Sequence, residues 1–307
     1  MFLVCGEALY DLFASGDSDG SDIGFDGRIG GSPMNVAIGM ARLQVPTALL
    51  TGISTDLLGS RILAALLREG VDTRYITRSG RPTTLSLVGL DGAGQPSYAF
   101  YGNGSADCSL TEHDLPVLDR TVKGLHFGSY AIAVEPVATA LAALAQRESS
   151  RFISLDPNVR ITVEPRLNTW RRRINAMRKR ATLIKVSDED LALLYPDTDP
   201  LETARDWAQS GPSMVVLTRG GDDVIAYRGT DEIRVTPPRV EIVDTVGAGD
   251  AFQASLLASL AAKRDPGDFL RESDRDILQE ILARAARAAA IVCSRRGANP
   301  PHLEDLE

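Results

Sequence analysis

Seven residues near the C-terminus, Asp244-Thr245-Val246-Gly247-Ala248-Gly249-Asp250, combine bare backbone with a carboxylate. They follow a strand-like apolar stretch, Val240–Val243, and lead into Ala251, Phe252, Leu256, Leu257 and Leu260 at helical spacing. Gly-Ala-Gly at a strand-to-helix turn leaves N–H groups uncovered. With the helix dipole they form an anion site suited to phosphate. Asp250 falls in the first turn, beside that anion. A carboxylate there is repelled unless it has work to do. The work that fits is accepting a proton from an attacking hydroxyl while the amides of Gly247, Ala248 and Gly249 hold a transferring phosphoryl group. The positive helix end keeps such an aspartate ionised. The competing reading is a glycine turn followed by an ordinary first-turn acid, because short motifs recur by chance. A dinucleotide fingerprint fits poorly, since Gly247-Ala248-Gly249-Asp250-Ala251-Phe252 lacks the third glycine. The chain has no Gly-x-x-x-x-Gly-Lys-Ser/Thr loop.

Such a motif must be carried by strands and helices in alternation. Apolar, β-branched runs bounded by turns occur at Phe2–Cys5, Ala48–Ile53, Leu125–Phe127, Phe152–Leu155, Leu183–Val186 and Met214–Thr218. Between them lie helical patterns. Ser32-Pro33 reads as an N-cap with proline at the first helical position, followed by Val36, Ala37, Met40, Ala41 and Leu43. Leu58, Ile62 and Leu66 repeat at helical spacing, and Gly70 sits where a C′ glycine belongs. Val137–Arg147 and Ala283–Val292 are Ala-rich with apolar stripes. The alternation predicts an α/β fold, a doubly wound, mostly parallel sheet flanked by helices. Two stretches break it. Residues 10–31 hold Gly16, Asp17, Gly20, Gly24, Gly27, Gly30 and Gly31. Residues 83–101 read as a hairpin, Thr84–Leu90 and Ser97–Tyr101 joined by the turn Asp91-Gly92-Ala93-Gly94. Together they predict a small antiparallel sheet projecting from the main body.

Composition narrows the class without choosing a function. The 307 residues carry 33 Lys plus Arg against 41 Asp plus Glu, a net charge of −8 that argues against nucleic acid or an anionic membrane as partner. Hydrophobic residues at 44% and charged residues at 24% are ordinary globular usage. No apolar run approaches the roughly 20 residues of a membrane span. Met1–Glu7 reads as a first strand, since it lacks the basic start of a secretion signal. Cys5, Cys108 and Cys293 are odd in number and far apart, which excludes a disulfide framework and suits a reducing cytoplasm. Arg171-Arg172-Arg173 with Arg178-Lys179-Arg180 is dense enough to suggest a nucleic-acid module, but in an acidic chain without interleaved aromatics it reads as a solvated helix face. His113, His126 and His302 have no ligand spacing, and His126, in an apolar strand, reads as a core histidine.

Asp244–Asp250 resembles the Asp-Thr-x-Gly-Ala-Gly-Asp signature of the ribokinase-like (PfkB) sugar kinases, and Gly30-Gly31-Ser32-Pro33-Met34-Asn35-Val36-Ala37 resembles that family's N-terminal Gly-Gly-x-x-x-Asn-x-Ala signature. The two stand over 200 residues apart in the expected order, and the similarity runs essentially end to end. Gly6–Asp11, Tyr98–Tyr101, Leu155–Arg160 and Lys185–Asp190 look most like bacterial fructokinases.

The resemblance implies one ribokinase-like α/β domain over residues 1–307, with a lid formed by insertions at about 10–31 and 83–106. It implies an ATP- and Mg2+-dependent kinase that moves the γ-phosphoryl group to a sugar hydroxyl, with fructose as first choice. The alternatives within the family are 2-keto-3-deoxygluconate kinase and ribokinase, and outside catalysis a sugar-responsive binding protein on the same fold. Asp11, Gly30, Gly31 and Asn35 match sugar-side positions; a turn acid and an exposed helix residue are the plain readings of Asp11 and Asn35. Phe100 or Tyr101 can lay a ring against the sugar, or merely pack the lid. Asn158 and Arg160 follow a strand at the sheet edge where ligands gather, and Arg160 suits the γ-phosphoryl group, or a surface ion pair. Thr218, Gly220 and Gly221 match a nucleotide turn, although Asp223 replaces a glycine often seen there. Lys185 reads as a phosphate contact or a solvent lysine. Asp190 keeps a carboxylate at a position linked to Mg2+, or caps a helix. Asp244, with the loop Arg296-Gly297-Ala298-Asn299, matches a monovalent-cation site, K+ included. A homodimer through the lids is implied as well.

Overall fold

Alternate residues of the central strands face opposite cores, and this is why helices cover both faces of the sheet. The structure, a computed structural model, describes residues 1–15, 22–90 and 96–307. Strand β1 (Phe2–Cys5) turns Leu3 and Cys5 into one apolar cluster and Phe2 and Val4 into the other. A strand buried on both faces reads as a continuous apolar run, which is the pattern that marked it in the sequence.

The remaining strands are β2 (Leu9–Ser15), β3 (Gly24–Gly30), β4 (Thr47–Ser54), β5 (Ile76–Ser79), β6 (Leu85–Leu90), β7 (Pro96–Tyr101), β8 (Gly124–Gly128), β9 (Phe152–Asp156), β10 (Leu183–Ser187), β11 (Met214–Thr218), β12 (Val224–Arg228) and β13 (Asp231–Val235). The helices are α1 (Ser32–Arg42), α2 (Leu57–Arg68), α3 (Val137–Arg147), α4 (Leu167–Arg178), α5 (Asp188–Leu194), α6 (Pro200–Ala208), α7 (Ala248–Ala261), α8 (Pro266–Glu272) and α9 (Arg275–Cys293). Among the described residues nine strands form the main sheet in the order β13-β12-β11-β10-β9-β8-β1-β4-β5, parallel from β11 to β5. Only β12 and β13 run antiparallel, as a meander on one edge. The expected doubly wound α/β fold is what forms.

The second sheet has the order β3-β2-β6-β7. Two of its pairings are antiparallel, and the central one, β2 with β6, is parallel. Between those two strands the chain returns through the main sheet, so it re-enters the small sheet from the same side. Gly16, Asp17, Gly20 and the turn Asp91–Gly94 lie outside the described residues.

Three local expectations shift. Ser32 is not the N-cap: Gly31 takes that place with φ 105°, and the Ser32 hydroxyl goes elsewhere. Val240–Val243 is not a strand. Its Val243 and Asp244 amides both donate to the Cys293 carbonyl, at 2.8 and 3.2 Å, so the segment runs past the end of α9 with its valines and Ile242 exposed. The Ala-rich stripe at Ala283–Val292 is only the second half of α9. The basic run lies on and after α4; Arg172 and Lys179 are exposed, whereas Arg171 donates to the Leu194 carbonyl at 2.6 Å, Arg173 pairs with Glu135, and Arg180 donates to Gln146 at 2.5 Å. Among the described residues no helix is long and apolar enough to cross a membrane.

Helix α7 is apolar nearly all round and buried, wedged against α1 and α9. Burial of Phe252, Leu256 and Leu257 contributes about 1.5–3 kcal/mol each, so the N-terminus that carries Asp250 is firmly seated.

Candidate functional site

Parallel strands release their chains on one edge, and the residues after β1, β9, β10 and β11 converge there with the first turns of α1 and α7. Gly6 and Glu7 follow β1, Asn158 and Arg160 follow β9, Asp190 follows β10, and Thr218, Gly220 and Gly221 follow β11.

Asp250 is the best-defined group. Asn35 Nδ2 donates to its Oδ2 at 2.8 Å and the Ser32 hydroxyl to its Oδ1 at 2.6 Å. The two long-separated motifs therefore meet through side chains. Ser32 was legible only as a cap, and its hydroxyl is used on a carboxylate, a stronger partner than a neutral amide. Gly247 is left-handed, at φ 81°, and its missing Cβ leaves room for Ala298. The Ala248 amide is not open, since it donates to the Thr245 carbonyl at 3.2 Å. Among the described residues the amides of Gly247, Gly249 and Asp250 have no acceptor, so of the three amides the sequence suggests only that of Ala248 is taken.

On the sugar-side positions, Asp11 Oδ2 stands 2.2 Å from where a Cβ on Gly30 would be, and the Gly31 Cβ position lies 2.8 Å from the Glu7 carbonyl. Gly30 thus leaves room for the Asp11 carboxylate and Gly31 for the Glu7 carbonyl. Burial pushes the Asp11 carboxyl up, opposed by a Ser86 hydrogen bond and the Arg160 charge and reinforced by Asp250. Arg160 is exposed, with Nη1 on the Val159 carbonyl at 3.0 Å. Asn158 is left-handed at φ 42° and half-buried. Phe100 turns inward and packs edge-on against Tyr130 at 5.2 Å, whereas Tyr101 is 62% exposed on the small sheet.

Farther along the edge, Lys185 is not a solvent lysine. Its Nζ is buried, 3.0 Å from Asp156 Oδ2. Burial works against its charge, but Asp156, Asp190 and Asp250 outweigh that and hold the ammonium above its ordinary range. Burial pushes the Asp156 carboxyl up to about 6, with Lys185 opposing. The Ser187 hydroxyl caps α5 through the Asp190 amide, and Asp190 Oδ1 accepts the Val159 amide at 3.0 Å. Gly220, at φ 55°, and Gly221 are exposed, with open space where side chains would be. Asp223 accepts the Thr236 hydroxyl at 2.7 Å, on the side of this loop.

Asp244 uses both oxygens on backbone amides, Val246 at 3.0 Å and Gly297 at 2.8 Å, and so folds the loop expected to hold a cation. Among the described residues no group of three His, Cys, Asp or Glu is placed to hold a metal. Open amides, Lys185 and the bare Gly220–Gly221 turn fit a nucleotide polyphosphate. The single Asp190 carboxylate fits Mg2+ only as an ion that arrives on phosphates with its waters.

Several working groups escaped the sequence reading. Glu7 is 1% exposed, and burial raises its carboxyl to about 8, helped by Asp107 and opposed by Ser129 and Arg160. Asp107 is buried too, and its carboxylate accepts from Thr84 at 2.5 Å, Ser105 at 2.7 Å and Tyr130 at 2.6 Å. His126 is a core histidine with Nδ1 3.1 Å from Ser154, and burial lowers it to about 3. A charged residue closing an apolar strand, as Glu7 nearly does and Asp156 does, is the signal that would have found them.

Known proteins resemble this chain over most of its length. The family described as pfkB family carbohydrate kinase matches residues 2–306. A fructokinase of Rhizobium leguminosarum bv. trifolii is 39% identical over 261 residues, 85% of this chain and 79% of that protein. A fructokinase of Klebsiella pneumoniae is 33% identical over 316 residues, covering 99% and 97%. The crystal structure of a fructokinase with bound ATP from Xylella fastidiosa superposes with TM-score 0.90 at 26% identity, covering 99% of this chain and 96% of that one.

Proposed function

The chain belongs to the pfkB family of carbohydrate kinases, and on that footing we propose that it is an ATP-dependent fructokinase. The observation that carries the reading is the contact of Asp250 with Asn35 and Ser32, which joins the sugar-side helix α1 to the phosphate-side helix α7 at one carboxylate.

Asp11, Asn35 and the backbone at Gly30 and Gly31 hold the sugar, and Asn158 bounds its pocket. Tyr101 covers the site when the small sheet, the lid formed by the insertions at about 10–31 and 83–106, closes over the sugar. Thr218, Gly220 and Gly221 cradle the nucleotide, and the Gly249 and Asp250 amides, backed by Gly247 and Ala248, receive its terminal phosphates. The sugar hydroxyl oxygen attacks the γ-phosphorus. The new O–P bond forms as the bond to the β,γ-bridging oxygen breaks, and ADP departs with that electron pair. Asp250 takes the hydroxyl proton, which needs a positioned acceptor more than a strong base. Arg160 and the helix amides meet the charge spread over the phosphoryl oxygens.

Asp190 is the residue that would face Mg2+ carried in on ATP, and the ion would neutralise charge on the phosphates. K+ fits the carbonyls of the Asp244 and Gly297 loop more readily than the Asp244 carboxylate, whose oxygens are already engaged. Phe25 on β3 and Ile23 just before it are exposed, which supports pairing of two such sheets in a homodimer.

The test is ADP release with ATP and Mg2+ over fructose, ribose, 2-keto-3-deoxygluconate, glucose and nucleosides. Fructose is expected to give the highest kcat/KM. Faster turnover of another member of the panel would reassign the substrate, and no turnover with sugar still bound would favour a non-catalytic sugar-responsive protein.

A further inference from the structure

An ammonium has three N–H donors. Among the described residues Lys185 Nζ finds one acceptor, Asp156 Oδ2 at 3.0 Å. Both side chains are buried, so water does not simply absorb the rest. Asp156 Oδ1, buried as well, has no partner at all. The place of this pair is also unusual. Nζ lies 3.1 Å from where a Cβ on Gly249 would sit, beneath the first turn of α7. A helix N-terminus is its positive end, so a buried cation there is repelled by the dipole and by the open Gly249 and Asp250 amides. An ion pair kept only for stability gains nothing from that position, because a buried pair is often no better than well-packed apolar residues. Asp156, Asp190 and Asp250 keep the cation charged there all the same, so an arriving anion meets both it and the open amides.

We propose that Asp156 is a positioning residue, fixing the Lys185 ammonium under Gly249 so that lysine and helix amides grip the same phosphate group of the nucleotide. Glycine at position 249 belongs to this device, since a side chain there would press on Nζ. The inference rests on the kinase reading, and it adds a residue that acts through Lys185 and touches no substrate.

ATP binding measured by calorimetry at fixed ionic strength, together with melting temperature and KM for each substrate, decides it. Asp156→Asn is expected to weaken ATP binding by at least about tenfold, the loss of one well-aimed charged hydrogen bond, with fructose KM within about twofold. Asp156→Asn leaves a buried charge unpaired and can lower stability by itself. The double variant Asp156→Asn/Lys185→Gln removes both charges while keeping a hydrogen-bonded pair. It should melt near wild type and still bind ATP at least about tenfold more weakly. A double variant that binds ATP like wild type, or an Asp156→Asn protein that loses only melting temperature, would overturn the proposal. Wild-type protein that binds ATP yet phosphorylates no sugar would sink the kinase reading instead, and the binding comparison would still decide Asp156.

Discussion

Gly30→Ala is a substitution whose effect on folding and on function should separate cleanly. The φ of Gly30 is not in the left-handed region, so alanine suits its backbone and even restricts the unfolded chain, worth about 0.4–1 kcal/mol in favour of the fold. The new Cβ, however, would stand 2.2 Å from Asp11 Oδ2, 3.2 Å from Asp11 Cγ and 3.3 Å from a Leu9 methyl. Only the first contact is impossible, and it involves the end of a side chain that can rotate. The carboxylate therefore retreats by roughly 1 Å or turns away, which is enough to break a hydrogen bond to a sugar hydroxyl. A hydrogen bond to a charged group is worth about 1.5–3 kcal/mol, so KM for fructose should rise by about 10- to 150-fold. ATP binding should not change, because the nucleotide residues lie beyond Asp250. Steady-state kinetics with each substrate varied in turn, plus a thermal melt, make the assay. A Gly30→Ala enzyme with wild-type fructose KM would refute the placement of Asp11 on the sugar. A large fall in melting temperature would show that the glycine serves the fold instead.

Two further outcomes follow from the same geometry. Asn35→Asp places a second carboxyl 2.8 Å from Asp250 Oδ2, where both cannot ionise, so the acidic limb of the kcat profile should move up by about 2 pH units or more; an unmoved limb would mean that Asp250 is not the titrating base. Glu7 binds a proton in the folded state up to about 8, against an ordinary 4.5, so the fold holds more protons than the unfolded chain across that window and loses stability as pH rises through it. Glu7→Gln removes the loss, and its melting advantage over wild type should grow between pH 5.5 and 8 by roughly 3 kcal/mol, at about 1.4 kcal/mol per unit; parallel melting curves for the two proteins would contradict this.

The sheet was readable because strands buried on both faces appear as unbroken apolar runs and the helices between them carry stripes. Val240–Val243 looked the same locally but has no strand beside it, and one-dimensional pattern cannot report that. Asp250 was legible because a carboxylate behind glycines at a helix start has few physical uses, and Asn35 and Gly31 were legible only through the resemblance of their motif. Ser32 was misplaced by one position because its hydroxyl answers to a residue over 200 positions away. Glu7 and Asp156 stood inside quoted motifs and Asp107 outside them, and none had assigned work, since the burial and the partners that give them their properties are made only in three dimensions. Lys185 carried two readings in the sequence, and the depth of its pocket removed one.

The account turns on Asp250 as the group that takes the sugar's proton while the first turn of α7 holds the phosphoryl group. Its most direct measurement is the rate of fructose phosphorylation by Asp250→Asn, alongside ATP binding by the same protein. Asparagine keeps the size and one acceptor for Ser32 or Asn35, so the fold and the nucleotide site should persist. The expected result is a kcat at least about 10²–10⁴-fold below wild type with ATP affinity essentially unchanged. Turnover within a few-fold of wild type would contradict the account.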